Sequence, residues 1–327
     1  MNVLNVQKKY LGTKLWGALE FIRIFNMTMP FTSGFVGVVM GLRGIHMSVE
    51  AVAGMFIPVF LWAGGQVFND IFDLDVDKIN TPYRAVPSGR FNLRESIAFG
   101  GILTVAGIAL SVLTRSFVCQ ILTLCAVLMS NVYSYTLKRK GIFGHMNFAF
   151  CVLLCIYIGQ SAVSGGITSF YIPLGIFLYH VAINIMASVG DVPGDKKTRV
   201  ITLPVQMGRI PATLAACAFW VTGVLWSFHS SQYSATWAAV AGVVILISAY
   251  NSVLLLRTPT PGNATTTLRL FRLGTIMLQF SLVIQYLDVI SLTVLTVGIG
   301  VFTVSTFLLF EVPKGIDISV KGVPSHE

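Results

Sequence analysis

Thirteen acidic residues are spread over 327 positions, and six of them fall in two short stretches. The first reads Asn69-Asp70-Ile71-Phe72-Asp73-Leu74-Asp75-Val76-Asp77, the second Asp191-Val192-Pro193-Gly194-Asp195. Each stands at the end of a long apolar run. A lone carboxylate there costs roughly 2.5–3.5 kcal/mol at a helix centre on insertion scales, and less near the ends. At about 100° per residue, Asn69, Asp73 and Asp77 fall within an arc of about 80° on one helix face. Asp70 borders that face and Asp75 falls on the far side. Oxygen donors stacked at one-turn intervals suit a hard divalent cation. Magnesium keeps several waters and is typically shared between one or two carboxylates and a substrate phosphate. Asp191 and Asp195 repeat the one-turn spacing, with Ser188 on the same face.

Basic residues accompany both stretches. Residues 78–90 read Lys-Ile-Asn-Thr-Pro-Tyr-Arg-Ala-Val-Pro-Ser-Gly-Arg, and Lys196, Lys197 and Arg199 follow the second stretch. Arg84 and Arg90 carry planar forks that match phosphate oxygens. Arg84 is the one expected in the site; Arg90 and Arg94 read equally well as ordinary loop charge. Pro82, Pro87 and Gly89 stiffen and turn the loop so that it can fold back. Two acidic clusters that bind magnesium, with cations beside them, are what a diphosphate leaving group requires.

The elements that position these groups are apolar helices. The chain is 55% apolar and 11% charged, with mean hydropathy +0.79. Soluble domains carry about 25% charged residues. The expected fold is an all-α polytopic membrane protein. Runs of about 20 apolar residues span a bilayer. They are read at 22–43, 51–69, 96–114, 117–136, 147–164, 171–189, 211–228, 234–256, 270–287 and 291–310, giving nine or ten spans. Counting ten, one side of the membrane holds all of the 22 Lys and Arg except Arg43 and Arg115. The positive-inside rule makes that side cytoplasmic, and both Asp motifs lie on it. The net charge of +9 is therefore loop charge, and no nucleic-acid partner is expected. Residues 1–20 read as a lead-in without a removable signal peptide, 21–310 as the membrane domain and 311–327 as a polar tail. All five cysteines lie in apolar runs, so no disulfide framework is expected. Residues 51–100 and 171–220 share one pattern: apolar helix, Asp-rich end, basic loop, helix. Paired motifs of this kind point to a central site.

Asn69-Asp70-x-x-Asp73-x-x-x-Asp77 followed by Pro82-Tyr83-Arg84-Ala85-Val86-Pro87-Ser88-Gly89-Arg90 resembles the first signature of the UbiA superfamily of intramembrane prenyltransferases. Asp191-x-x-x-Asp195 with Thr202-Leu203-Pro204-Val205 resembles the second. Arg23 and Asn26 match the Arg and Asn of that family's first helix, and Tyr133-Ser134 with Leu137-Lys138 matches its segment after the fourth span. The spelling is closest to the digeranylgeranylglyceryl phosphate synthase type. The resemblance implies nine helices around a central cavity open to lipid and a capping loop after the second span. It also implies two magnesium ions bridging the Asp motifs through a polyprenyl diphosphate donor. The implied metal or diphosphate ligands are Asn69, Asp73, Asp77, Asp191 and Asp195, with Asp70 beside them. Arg84 and Lys138 become phosphate contacts, and Tyr133 lines the site near the prenyl carbon. Arg23, Asn26, Ser188, Asn184 and His180 complete the expected substrate-binding set. Three positions depart from the pattern: Ser188 stands where Asp is frequent, Asn184 where that subgroup tends to carry Glu, and His145 where Asn is common.

The expected reaction is ionisation of an allylic diphosphate in a dry cavity, followed by attack from a lipophilic acceptor. His180, one turn before Asn184, is one candidate for the released proton and His145 another. No obligate protein partner is implied. Two other readings stay open on the sequence: a terpene cyclase on the same scaffold, which needs no acceptor, and an ion-coupled transporter.

Overall fold

In the computed structural model of the protein, the described residues are 14–80, 84–198, 200–230, 235–287 and 289–310. The lead-in is thus described from Lys14 onward, and the tail 311–327 lies outside the described residues, as do Thr81–Tyr83, Arg199 and Asp288. The described chain is helical, with no strand. In order, the helices are α1 (Lys14–Phe21), α2 (Thr28–Leu42), α3 (Val49–Phe72), α4 (Leu74–Asn80), α5 (Leu93–Leu113), α6 (Phe117–Tyr135) and α7 (Ile142–Ser164). There follow α8 (Leu174–Ser188), α9 (Val192–Thr198), α10 (Leu203–Met207), α11 (Arg209–Ser230), α12 (Ala235–Arg257), α13 (Pro261–Ser281) and α14 (Val289–Phe310).

Among the described residues, six helices are long and apolar enough to cross a membrane: α3, α5, α6, α7, α11 and α12. The number rises to eight if the bent pairs α1–α2 and α8–α9 each count as one span. The chain is an integral membrane protein, and by this measure it falls short of nine or ten spans. Helix α13 stays outside this count because it carries Arg269 and Arg272 and is less apolar than its neighbours.

Packing follows membrane rules. Helix α5 buries Ser96, Gly100, Gly107 and Ser111 and exposes Ile102, Val105 and Val112. Small residues inward and large ones outward let backbones approach without a hydrophobic driving force between helices. A Cβ added at Gly64 of α3 would lie 2.6 Å from Thr104 of α5. Between α2 and α7 the approach is closer still: a Cβ on Gly37 would lie 2.1 Å from the Ile156 carbonyl oxygen. Helix α3 packs on α2, α5, α6 and α7; α8 packs on α7, α11 and α13; and α13 returns to α2. The helices thus enclose a central space, with the ends of α3 and α8 on its wall.

Candidate active site

Both acidic stretches fall where a long helix breaks. Helix α3 ends at Phe72, and Asp73 leaves helical geometry (φ −93°, ψ 6°) before α4 begins. The i to i−4 bonds continue through the break, Asp73 N to Asn69 O at 2.9 Å and Asp77 N to Asp73 O at 2.8 Å. The stacked face therefore survives, and Asp70, Asp73 and Asp77 are buried while Asp75 is exposed and pairs with Lys78. Helix α8 ends at Ser188, and α9 leaves at 79° with Pro193 in its first turn, where its missing N–H costs nothing.

Cations converge on the first motif from three elements. Arg23 holds a left-handed backbone (φ 53°) at the sharp bend between α1 and α2, an uncommon state for a non-glycine residue. Its Nη2 donates to Asp70 Oδ1 at 2.7 Å. Arg84 Nη1 donates to Asp77 Oδ2 at 2.6 Å and reaches the same Asp70 oxygen at 3.4 Å. Lys138, in the turn after α6, donates to Asp73 Oδ2 at 2.5 Å. The Arg84 loop is fastened to α1 by Arg90, which donates to Glu20 at 2.6 Å, and by Phe91 packing edge-on to Phe21 at 5.6 Å. Arg90 thus anchors the loop to α1. Asn69 donates to Ser134 Oγ at 3.4 Å.

Two adjoining cavities meet here. The larger, about 240 Å3, runs from Arg23, Asn69 and Lys138 into an apolar interior lined by Leu61, Phe148 and Cys155. The smaller, about 100 Å3, is lined by Ser188, Asp191, Asp195, Thr202 and His145. Tyr133, Lys138 and Asn184 line both and join them. Lys138 therefore stands between the motifs, bonded to Asp73 and lining the chamber of Asp191 and Asp195. The motifs also share a field. Burial pushes the Asp191 carboxyl above the usual carboxylate range, and Lys138 and Arg84 pull it partly back. Burial, then the Asp191 charge, pushes Asp195 up to about 6, with Asp73 adding to the rise and Thr202 and Lys138 opposing it. Neither Asp191 nor Asp195 has an ion-pair partner within 4 Å among the described residues.

Magnesium fits this donor set. Among the described residues no three acidic, His or Cys side chains form a ready-made cage. Magnesium seldom uses an all-protein cage and takes one or two carboxylates plus substrate phosphate. Two carboxylates that line one cavity with no cation within 4 Å among the described residues, near a third held by a lysine, match that habit.

Several sequence expectations change on this geometry. His180 is fully buried in α8, its Nδ1 bonded to the Ile176 carbonyl at 2.9 Å, and it lines neither cavity. Packing against the second-half core sets it apart. His145 accepts from Leu203 N–H at Nε2 (3.4 Å) and so donates from Nδ1 to Asn184 Oδ1 (2.6 Å), which leaves no free nitrogen for a proton. Asp70 spends one oxygen on two arginines and serves to hold them. Asn26 lines neither cavity, and its buried Oδ1 has no partner among the described residues. Ser188 lines the smaller cavity, its hydroxyl donating to the Ile185 carbonyl at 2.7 Å. The cavity wall adds Trp62 and Gln66, which the sequence reading passed over. They share the α3 face of Asn69 and Asp73, so extending the 100° stacking inward would have found them.

The fold and site define an integral membrane protein whose helices enclose a cavity lined by carboxylates and phosphate-binding cations at one end and apolar at the other. The chain belongs to the UbiA prenyltransferase family, whose model matches residues 30–276, and its enzyme class is prenyltransferase. It is 28% identical over 264 residues to digeranylgeranylglyceryl phosphate synthase of Sulfurisphaera tokodaii, covering 79% of this chain and 95% of that one. The Methanococcoides burtonii protein of the same name is 28% identical over 249 residues, covering 71% and 88%. Among solved structures, a UbiA homolog from Aeropyrum pernix superposes with TM-score 0.67 at 18% identity, covering 81% of this chain and 99% of that one. A UbiA homolog from Archaeoglobus fulgidus bound to DMAPP and Mg2+ gives 0.65 at 18% identity, covering 81% and 98%. At these identities the structural likeness establishes the fold.

Proposed function

We propose that the protein transfers a prenyl group from a polyprenyl diphosphate to a lipophilic acceptor, with two magnesium ions. The observation that carries this is the joined cavity, which is apolar at one end and lined at the other by both Asp motifs and the cations between them. Asn69, Asp73 and Asp77 on one side and Asp191 and Asp195 on the other hold the magnesium. When bound, it neutralises the diphosphate and stabilises the charge that builds on it as the carbon–oxygen bond breaks. Arg23, Arg84 and Lys138 bind phosphate oxygens, Asp70 having aimed the two arginines. The Tyr133 and Phe148 rings face the prenyl end, where their negative faces favour the allylic cation. The apolar walls exclude water that would quench it.

In the same reading, Asn26 and Ser188 support the first bend and the second motif, and Asn184 borders the acceptor. Residues 21–310 form the membrane domain, α13 and α14 complete nine or ten spans, and the Asp motifs face the cytoplasm. The named relatives support a glycerophosphate-type acceptor. The test is to supply purified protein with a series of prenyl diphosphates, with and without a 1-O-alkylglycerol phosphate, and weigh the lipid products. A prenylated acceptor supports transfer. A cyclic product formed without acceptor would replace this reading with the cyclase, and no diphosphate release would remove both.

A further inference from the structure

Within the larger cavity, two polar atoms are left over. Trp62 Nε1 and Gln66 Oε1 are buried and have no hydrogen-bond partner among the described residues. Both side chains line the cavity, one turn apart on the same face of α3. The indole packs edge-on to Phe148, with ring centroids 5.6 Å apart at 76°. Leaving a buried donor and a buried acceptor unmade is expensive, and such groups call for a partner.

We propose that Trp62 and Gln66 seat the reacting hydroxyl of the acceptor, an inference that rests on the prenyl-transfer reading above. A hydroxyl is the small neutral group that accepts from an indole N–H and donates to an amide carbonyl at once. An amine, protonated near neutrality, has no lone pair for Trp62, and an ether has no hydrogen for Gln66. Gln66 lies about 4.5 Å and Trp62 about 10.5 Å of helix rise inward from Asn69. The seat is therefore just inside the diphosphate end, beside the carbon that loses it. There the donor carbon–oxygen bond breaks with its electron pair going to diphosphate. A lone pair of the seated oxygen forms the new carbon–oxygen bond, and the hydroxyl proton leaves with the diphosphate. Gln66 is an amide and orients this proton without taking it.

The test uses the full-length protein in lipid nanodiscs with magnesium, geranylgeranyl diphosphate and a 1-O-alkylglycerol phosphate bearing one free hydroxyl. Gln66→Leu and Trp62→Phe are each expected to raise the KM for the alcohol about tenfold, the loss of one buried hydrogen bond. The donor KM stays at the wild-type value, which also shows that the variant is folded; Gln66→Met stands in if Gln66→Leu is not. Free prenyl alcohol grows at the expense of ether. Unchanged acceptor KM in both variants overturns the seat while wild-type ether formation leaves the transfer reading standing. If the variants alter only acceptor-independent release of prenyl alcohol, the pair holds water and the proposal falls. Wild-type protein that forms no ether overturns the seat and the transfer reading together.

Discussion

Lys138 is the cation whose removal says most. It is the turn residue between α6 and α7 that bonds Asp73, and the Asp73 side chain is 11% exposed against 32% for Lys138. Breaking a fully buried pair by removing one partner costs about 3–5 kcal/mol, because the other charge is stranded. Lys138 is one-third exposed and water screens part of the charge, so Lys138→Met is expected to cost about 1–3 kcal/mol. Asp73 would then face Asp195 with less opposing charge. Thermal unfolding in detergent without divalent ions, followed by circular dichroism, should show a Tm lower by several degrees. The double variant Lys138→Met with Asp73→Asn removes both charges and should recover most of that loss, since replacing both partners is far cheaper than removing one. Activity should not recover, because the phosphate contact and the ligand are both gone. A single variant that melts with the wild type, or a double variant no more stable than the single, would refute the pairing.

Other outcomes follow from the same geometry. Asp195, raised to about 6, binds its proton more tightly folded than unfolded, so its contribution favours the folded state below the unfolded value and is lost as pH rises through about 6. Without divalent ions the protein should melt higher at pH 5 than at pH 7, and Asp195→Asn should flatten that slope; an unchanged slope counts against it. Gly37→Ala must displace backbone at the α2–α7 contact and should sharply reduce the yield of folded protein, measured by size-exclusion chromatography; wild-type yield would mean the helices part freely.

Much of this arrangement was legible in the sequence because membrane helices obey few rules. Apolar runs marked α2, α3, α5–α8, α11 and α12, and the stacking of Asn69, Asp73 and Asp77 survived a helix break that spacing alone does not reveal. Span counting was less secure at α13, whose Arg269 and Arg272 dilute its hydropathy. Partner choice was hidden altogether. Nothing local says that Arg23, 47 residues before Asp70, bends back to reach it, or that His145 gives both nitrogens to Asn184 and Leu203. His180 looked like Asn184 by helical spacing, yet the neighbouring helices enclose it. Such pairings are set by tertiary packing, which a single chain of letters carries only collectively.

The most direct measurement is calorimetric binding of a non-reactive thiolo analogue of geranylgeranyl diphosphate, with magnesium, to the wild type, Asp73→Ala, Asp191→Ala and the double variant. If both motifs grip one diphosphate, each single change weakens binding by at least about tenfold, and the double variant loses much less than the product of the two. Losses that simply multiply, or a single variant that binds like the wild type, would contradict a shared site.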